Sequence, residues 1–123
     1  MAAVGFAGYA AVFDAPDRGG DVIRRGAFAG AAAVPLLWQH RGRPVGSAQV
    51  AEDARGLRVI GSIDDAELGA LVAAGAVDGL SIGYRTLEAR HGVRRELRRV
   101  ALVEVSLVAQ PMQPLARVHA IAG

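Results

Sequence analysis

From Gly5 to Phe13 small and bulky apolar residues alternate in strand fashion, and Asp14-Ala15-Pro16-Asp17-Arg18-Gly19-Gly20-Asp21 ends the run with turn chemistry. Gly26 to Ala33 is rich in alanine and predicts one or two helical turns that Pro35 stops. Pro35 to Gln39 reads as an apolar strand with His40 at its end, after which Arg41-Gly42-Arg43-Pro44 turns the chain. Val45–Val50 and Leu57–Ile63 form a predicted hairpin around Glu52-Asp53-Ala54-Arg55-Gly56. Asp64 or Asp65 caps a helix whose Leu68, Leu71 and Val72 make an i, i+3, i+4 stripe, with Gly75 as its stop. Two long strands follow, Leu80 to Arg90 and Glu96 to Ala109, joined at His91-Gly92 and ended by Gln110-Pro111-Met112-Gln113-Pro114. The sum predicts an α+β fold, a mostly antiparallel β-barrel with one or two short peripheral helices. No internal repeat or low-complexity linker interrupts it.

The 123 residues suit a single domain, 1–123. Hydrophobic residues make up 52% of the chain and mean hydropathy is +0.28. Charges nevertheless break every apolar stretch well short of the roughly 18 to 20 residues of a membrane span, so a soluble protein is expected. Met1-Ala2-Ala3-Val4-Gly5-Phe6 lacks the basic and apolar regions of a secretory signal, which predicts a cytoplasmic origin. Cysteine is absent, excluding disulfides, thiolate zinc sites and cysteine nucleophiles. Any nucleophile is then an oxygen, drawn from Ser47, Ser62, Ser81, Ser106 and Thr86.

Neither cofactor nor metal is expected. Asp14, Asp17 and Asp21 lack calcium-loop spacing, and the spacing of His40, His91 and His119 suggests no zinc site. All 14 basic residues are arginine, yet the net charge is only +2. Such a bias suits nucleic acid. It equally suits the codon usage of a GC-rich genome, and the densest patch, Arg94-Arg95-Glu96-Leu97-Arg98-Arg99, contains no aromatic residue for base stacking.

Three polar residues interrupt apolar strands: His40 after Leu36-Leu37-Trp38-Gln39, Ser81 within Gly79-Leu80-Ser81-Ile82-Gly83-Tyr84, and Glu104 before Val105-Ser106-Leu107-Val108. Burying a neutral polar group without a partner costs roughly 1 to 3 kcal/mol, so each needs an explanation. Leu80, Ile82 and Tyr84 share a bulky face and leave Ser81 and Gly83 on the other, in a lane open to a peptide carbonyl. Taken singly, each residue has a plain structural reading. Ser81 fills a crowded face, His40 marks a strand boundary, and Glu104 pairs with an arginine such as Arg85. Taken together they supply a nucleophile, a base and a carboxylate to orient it.

These motifs, in this order, resemble the prohead maturation proteases of HK97-like tailed phages. Gly8-Tyr9-Ala10-Ala11-Val12-Phe13, Asp17-Arg18-Gly19-Gly20-Asp21-Val22-Ile23 and Gly26-Ala27-Phe28 resemble the family's opening segment, and the His40, Ser81 and Glu104 motifs its later ones. The resemblance implies a fold similar to herpesvirus assemblin and a serine endopeptidase inside the immature capsid in the host cytoplasm. That enzyme would remove the scaffolding portion of the major capsid protein and also cleave itself. Ser81 takes the nucleophile's place, His40 the base's, and Glu104 the third position, which assemblin fills with a histidine. The loop after Ala109 is a candidate source of oxyanion donors. Pro111 and Pro114 have no N–H, leaving Gln110, Met112 and Gln113, of which Gln110 and Met112 are the named candidates. Homodimerisation is suggested by the assemblin analogy. A gene transfer agent and an ordinary prophage are equally compatible origins. The competing functions are a catalytically inactive capsid-assembly domain of the same fold and an arginine-rich nucleic-acid-binding domain.

Overall fold

The computed structural model describes residues 3–122. Eight strands and one helix run in the order β1 (Val4–Val12), β2 (Val22–Ile23), β3 (Ala33–Trp38), β4 (Arg41–Glu52), β5 (Gly56–Ile63), α1 (Ala66–Ala73), β6 (Gly79–His91), β7 (Arg95–Val108) and β8 (Val118–Ala122). They form one sheet in the order β2-β7-β3-β4-β5-β1-β8, with β6 also paired to β7. The sheet is mostly antiparallel, as expected; β2 and β3 run parallel to β7. Leu36, Leu57, Val59, Ile63, Leu80, Leu97, Val105 and Leu107 are almost wholly buried and make the centre of the core. Burying each such side chain contributes about 1.5 to 3 kcal/mol before chain entropy is set against it.

β7 organises the surroundings of His40, Ser81 and Glu104. It pairs antiparallel with β6 from Gly79↔Val108 to His91↔Arg95, and parallel with β3 through Leu36↔Val105, Leu37↔Ser106 and Trp38↔Leu107. Leu80 and Ile82 lie opposite Leu107 and Val105, whereas Ser81 and Gly83 lie opposite Ser106 and Glu104. The period-two rule thus gathers the small and polar residues of both strands on one face.

The expected barrel is not closed by strand pairing. The two ends of the ladder approach through an isolated Gly79↔Arg117 bridge, with Leu80 N–H donating to Ala116 C=O (3.0 Å) and Val118 N–H to Asp78 C=O (2.8 Å). Beyond that point no strand pairing joins β6 to β1 among the described residues, and a cleft occupies the seam.

The Gly26–Ala33 segment is a chain of turns, not a helix. Ala27, Ala29 and Ala31 each donate to the carbonyl three residues earlier, but Gly26 (φ 91°) and Gly30 (φ 84°) are left-handed and stop a helix from propagating. The predicted turn at Arg41–Pro44 is strand, because the reversal comes earlier. Gln39 (φ 55°) and His40 (φ 62°) both take left-handed backbone in a two-residue hairpin that pairs Trp38 with Arg41. The helix is capped as expected: Asp65 accepts from Leu68 N–H at 2.8 Å, and past its end Gly75 N–H and Ala76 N–H return to Val72 and Leu71 carbonyls in a Schellman arrangement. Leu68 and Val72 are buried, while Leu71 faces solvent, its place in the interface taken by Gly69 against Val4. Among the described residues no helix is long and apolar enough to cross a membrane.

Candidate active site

His40 is held by its turn. A left-handed non-glycine residue costs roughly 1 to 2 kcal/mol, and two occur in succession here. Three hydrogen bonds to β7 and the segment after it offset that cost: Gln39 N–H to Leu107 C=O (3.0 Å), Ala109 N–H to Gln39 Oε1 (2.8 Å), and His40 N–H to Ser106 Oγ (3.1 Å). The turn therefore presents the imidazole, whose side chain is 42% exposed, at the rim of the cleft.

Behind the imidazole lies Glu104, 6% exposed. Its Oε1 is 2.6 Å from His40 Nδ1, and its Oε2 accepts from Ser106 Oγ at 2.7 Å. Arg85, the alternative partner considered from sequence, makes no ion pair among the described residues. Gly83, in register with Glu104, makes room for the carboxylate: a Cβ there would fall 2.8 Å from Glu104 Cδ and 2.9 Å from Cγ.

Ser81 is 8% exposed and lies opposite Ser106. Its hydroxyl has no hydrogen-bond partner among the described residues, and it is not an orphaned buried atom either, because it opens on the cleft. No hydrogen bond joins Ser81 to His40, but both line the same cleft of about 920 Å³. Of the other serines, Ser106 is completely buried, and Ser47 and Ser62 lie on β4 and β5, away from the cleft.

The cleft is walled by Ala10 and Ala11 of β1, Leu80 to Ile82 of β6, and the segment Val108–Gln113. Gln110 and Met112 line it, and neither N–H donates to a protein acceptor among the described residues. Gln113 has a different task. Its side chain accepts from Val12 N–H (2.5 Å) and donates to the carbonyls of Val12 and Ala15 (2.8 Å each), pinning the segment to β1. At the far side Arg95 grips Asp21 through two contacts of 2.7 and 3.2 Å, while burial and the Asp21 charge raise the Tyr84 hydroxyl above its ordinary pKa. The loop acids Asp14 and Asp17 serve Arg24 and the local turn, respectively.

Sequence reasoning gave Gln39 no site role, met Ser106 only as a candidate oxygen and Gly83 only as a small neighbour of Ser81. Alternation carried a signal for two of them, because Gly83 lies two positions from Ser81 and Ser106 two positions from Glu104, each on the same strand face.

Residues 2–122 match the family model described as caudovirus prohead serine protease. The prohead protease of Enterobacteria phage HK97 is 38% identical over 92 residues, which span 64% of this chain and 41% of that protein. The chain thus spans about two-fifths of the length of this relative. In fold it is similar to the KSHV protease crystallised with a hexapeptide phosphonate inhibitor: the TM-score is 0.61 at 13% identity, covering 98% of this chain and 65% of that one. The motif order, the sheet and the family match agree, and the chain belongs to the caudovirus prohead serine protease family.

Proposed function

We propose that this chain is the catalytic domain of a serine endopeptidase in which Ser81 is the nucleophile, His40 the base and Glu104 the orienting carboxylate, acting on the scaffolding portion of a major capsid protein inside the prohead. The observation that carries this reading is the 2.6 Å contact between His40 Nδ1 and Glu104 Oε1, at the rim of the cleft onto which the partner-free Ser81 hydroxyl opens. A carboxylate accepting from Nδ1–H fixes the tautomer, leaving the Nε2 lone pair to accept a proton.

In this mechanism Ser81 Oγ bonds to the scissile carbonyl carbon as its proton passes to His40 Nε2. Glu104 then stabilises the imidazolium without taking the proton. Collapse of the tetrahedral intermediate breaks the C–N bond, and the departing amine takes the proton from His40. Water, deprotonated by the same imidazole, then attacks the acyl carbon, and as the bond to Ser81 Oγ breaks the imidazolium returns its proton to that oxygen. Such proton transfer is typically worth about 100- to 10,000-fold. The unspent N–H groups of Gln110 and Met112 are the oxyanion donors in this reading; losing one such donor typically costs about 100- to 1,000-fold. Past Leu80, the edge of β6 facing the cleft is unpaired, so an extended substrate can add to the sheet beside Ser81. Self-cleavage and pairing of two copies belong to the same reading.

An alkyl fluorophosphonate, which phosphonylates activated serines, tests the assignment without a known substrate. The expected adduct maps to Ser81, disappears in Ser81→Ala and is strongly slowed in His40→Ala. Labelling elsewhere, or equal labelling of the His40 variant, overturns the assignment.

A further inference from the structure

Ser106 is wholly buried, so it cannot meet a substrate, yet its hydroxyl is consumed entirely by the groups of the proposed triad. A serine hydroxyl has one proton to give and can accept in return. Here the proton goes to Glu104 Oε2 at 2.7 Å, and the oxygen accepts the His40 main-chain N–H at 3.1 Å. Glu104 Oε1 in turn meets His40 Nδ1 at 2.6 Å. The three contacts close a ring through His40 backbone, Ser106, Glu104 and His40 side chain. Most side-chain hydrogen bonds go to backbone or water rather than to another side chain. This serine fixes both ends of the histidine at once, its left-handed main chain and, through the carboxylate, its imidazole.

We infer that Ser106 is a positioning residue of the protease: it holds the carboxylate and the His40 turn in the single arrangement that aims the imidazole at the Ser81 side of the cleft. This rests on the Ser81, His40 and Glu104 reading above. The geometry also explains why two serines directly opposite in the ladder have separate tasks. Ser106 has committed its proton to Glu104, and Ser81 keeps its own for transfer. Gly83 completes the enclosure from β6, since any side chain there would displace the carboxylate that Ser106 holds.

The test uses the full chain and the kinetics of phosphonylation by the same fluorophosphonate, separating the limiting rate from the affinity for the probe. Ser106→Ala should lower the limiting rate by about 10- to 100-fold with affinity unchanged, the scale typical of lost supporting contacts. Ser106→Cys, nearly the same shape but a weak donor, should show the same split with a melting temperature close to wild type, and it carries the test if the alanine variant does not fold. Ser106→Thr, which keeps the hydroxyl, should recover much of the rate. In a Glu104→Ala background, removing the Ser106 hydroxyl should cost little more, because the ring is already open. A wild-type limiting rate in the Ser106→Cys variant overturns the inference, as does an undiminished effect in the Glu104→Ala background. Failure of the underlying reading looks different: Ser81→Ala would still take up the probe at the same peptide, or Glu104→Ala would react at the wild-type rate.

Discussion

Glu104 is a buried carboxylate with two donors around it and no room to spare, and Gly83 is the residue that sets the limit. Adding one methyl at Gly83 forces the carboxylate aside, since the main chain at that paired position cannot move without disturbing the ladder. Overpacking of this kind typically costs about 1 to 3 kcal/mol. Gly83→Ala should therefore both destabilise the protein by that order and reduce turnover sharply. Combining it with Glu104→Ala should restore much of the melting temperature but none of the activity, whereas a fully active Gly83→Ala protein would show that the carboxylate position is not critical. At this scale the sequence was informative where a side chain's own strand decides its direction. Ser81 and Gly83 share a face because Leu80 and Ile82 take the other. It was silent on Glu104's partner, because the choice between Arg85 and His40 depends on β3 lying parallel to β7 along Val105–Leu107, a pairing between distant segments.

Elements were legible wherever a local rule sufficed. The hairpin between β4 and β5 appears with Asp53 Oδ1 accepting from Arg55 and Gly56 N–H, and α1 begins at Asp65, one of the two caps the sequence offers. The β3–β4 reversal was misplaced because Gln39-His40 lacks the glycine or asparagine that normally signals such a turn. Its conformation is imposed by the three hydrogen bonds it makes, a tertiary cause that no local pattern encodes. Short β2 and solvent-facing β8 carry too little alternation to be seen, and their existence depends on β7 and β1 as templates. Gly75 offers a contrasting prediction. It is left-handed at φ 78° with open space around it, so Gly75→Ala strains only the backbone. A loss of roughly 1 kcal/mol in stability with unchanged phosphonylation kinetics is expected, measured by denaturant melts beside the labelling assay. A change in those kinetics would contradict the separation of the helix cap from the site.

For the molecule as a whole, the proposed activity depends on a sheet that stops short of closure. The expected barrel would have paired β6 with its neighbour along its length, and the cleft lies where that pairing is absent. Composition could not reveal this, since closure depends on pairing between distant segments, which at this seam amounts to the isolated Gly79↔Arg117 bridge. The arginines, a candidate nucleic-acid signal in the sequence, serve the fold in part. Arg24 bonds Glu96 at 3.1 Å and Asp14 at 2.6 Å, and the hydrogen bond from Arg24 holds the Glu96 carboxyl below its ordinary pKa of 4.5. A carboxylate with a depressed folded pKa contributes stability that is present above the unfolded value and lost as pH falls through the folded one. Wild-type protein should thus lose stability below about pH 4.5 more steeply than Glu96→Gln. Parallel acid-side melting curves for the two would contradict that linkage.

In the proposed function Ser81 cleaves a capsid precursor. The most direct measurement of this cleavage is co-expression of that precursor with the wild-type or Ser81→Ala protein, scoring removal of the scaffolding portion by mass while checking that the variant melts like wild type. Processing should be lost completely in a folded Ser81→Ala protein; processing at the wild-type rate would rule out Ser81 as the nucleophile.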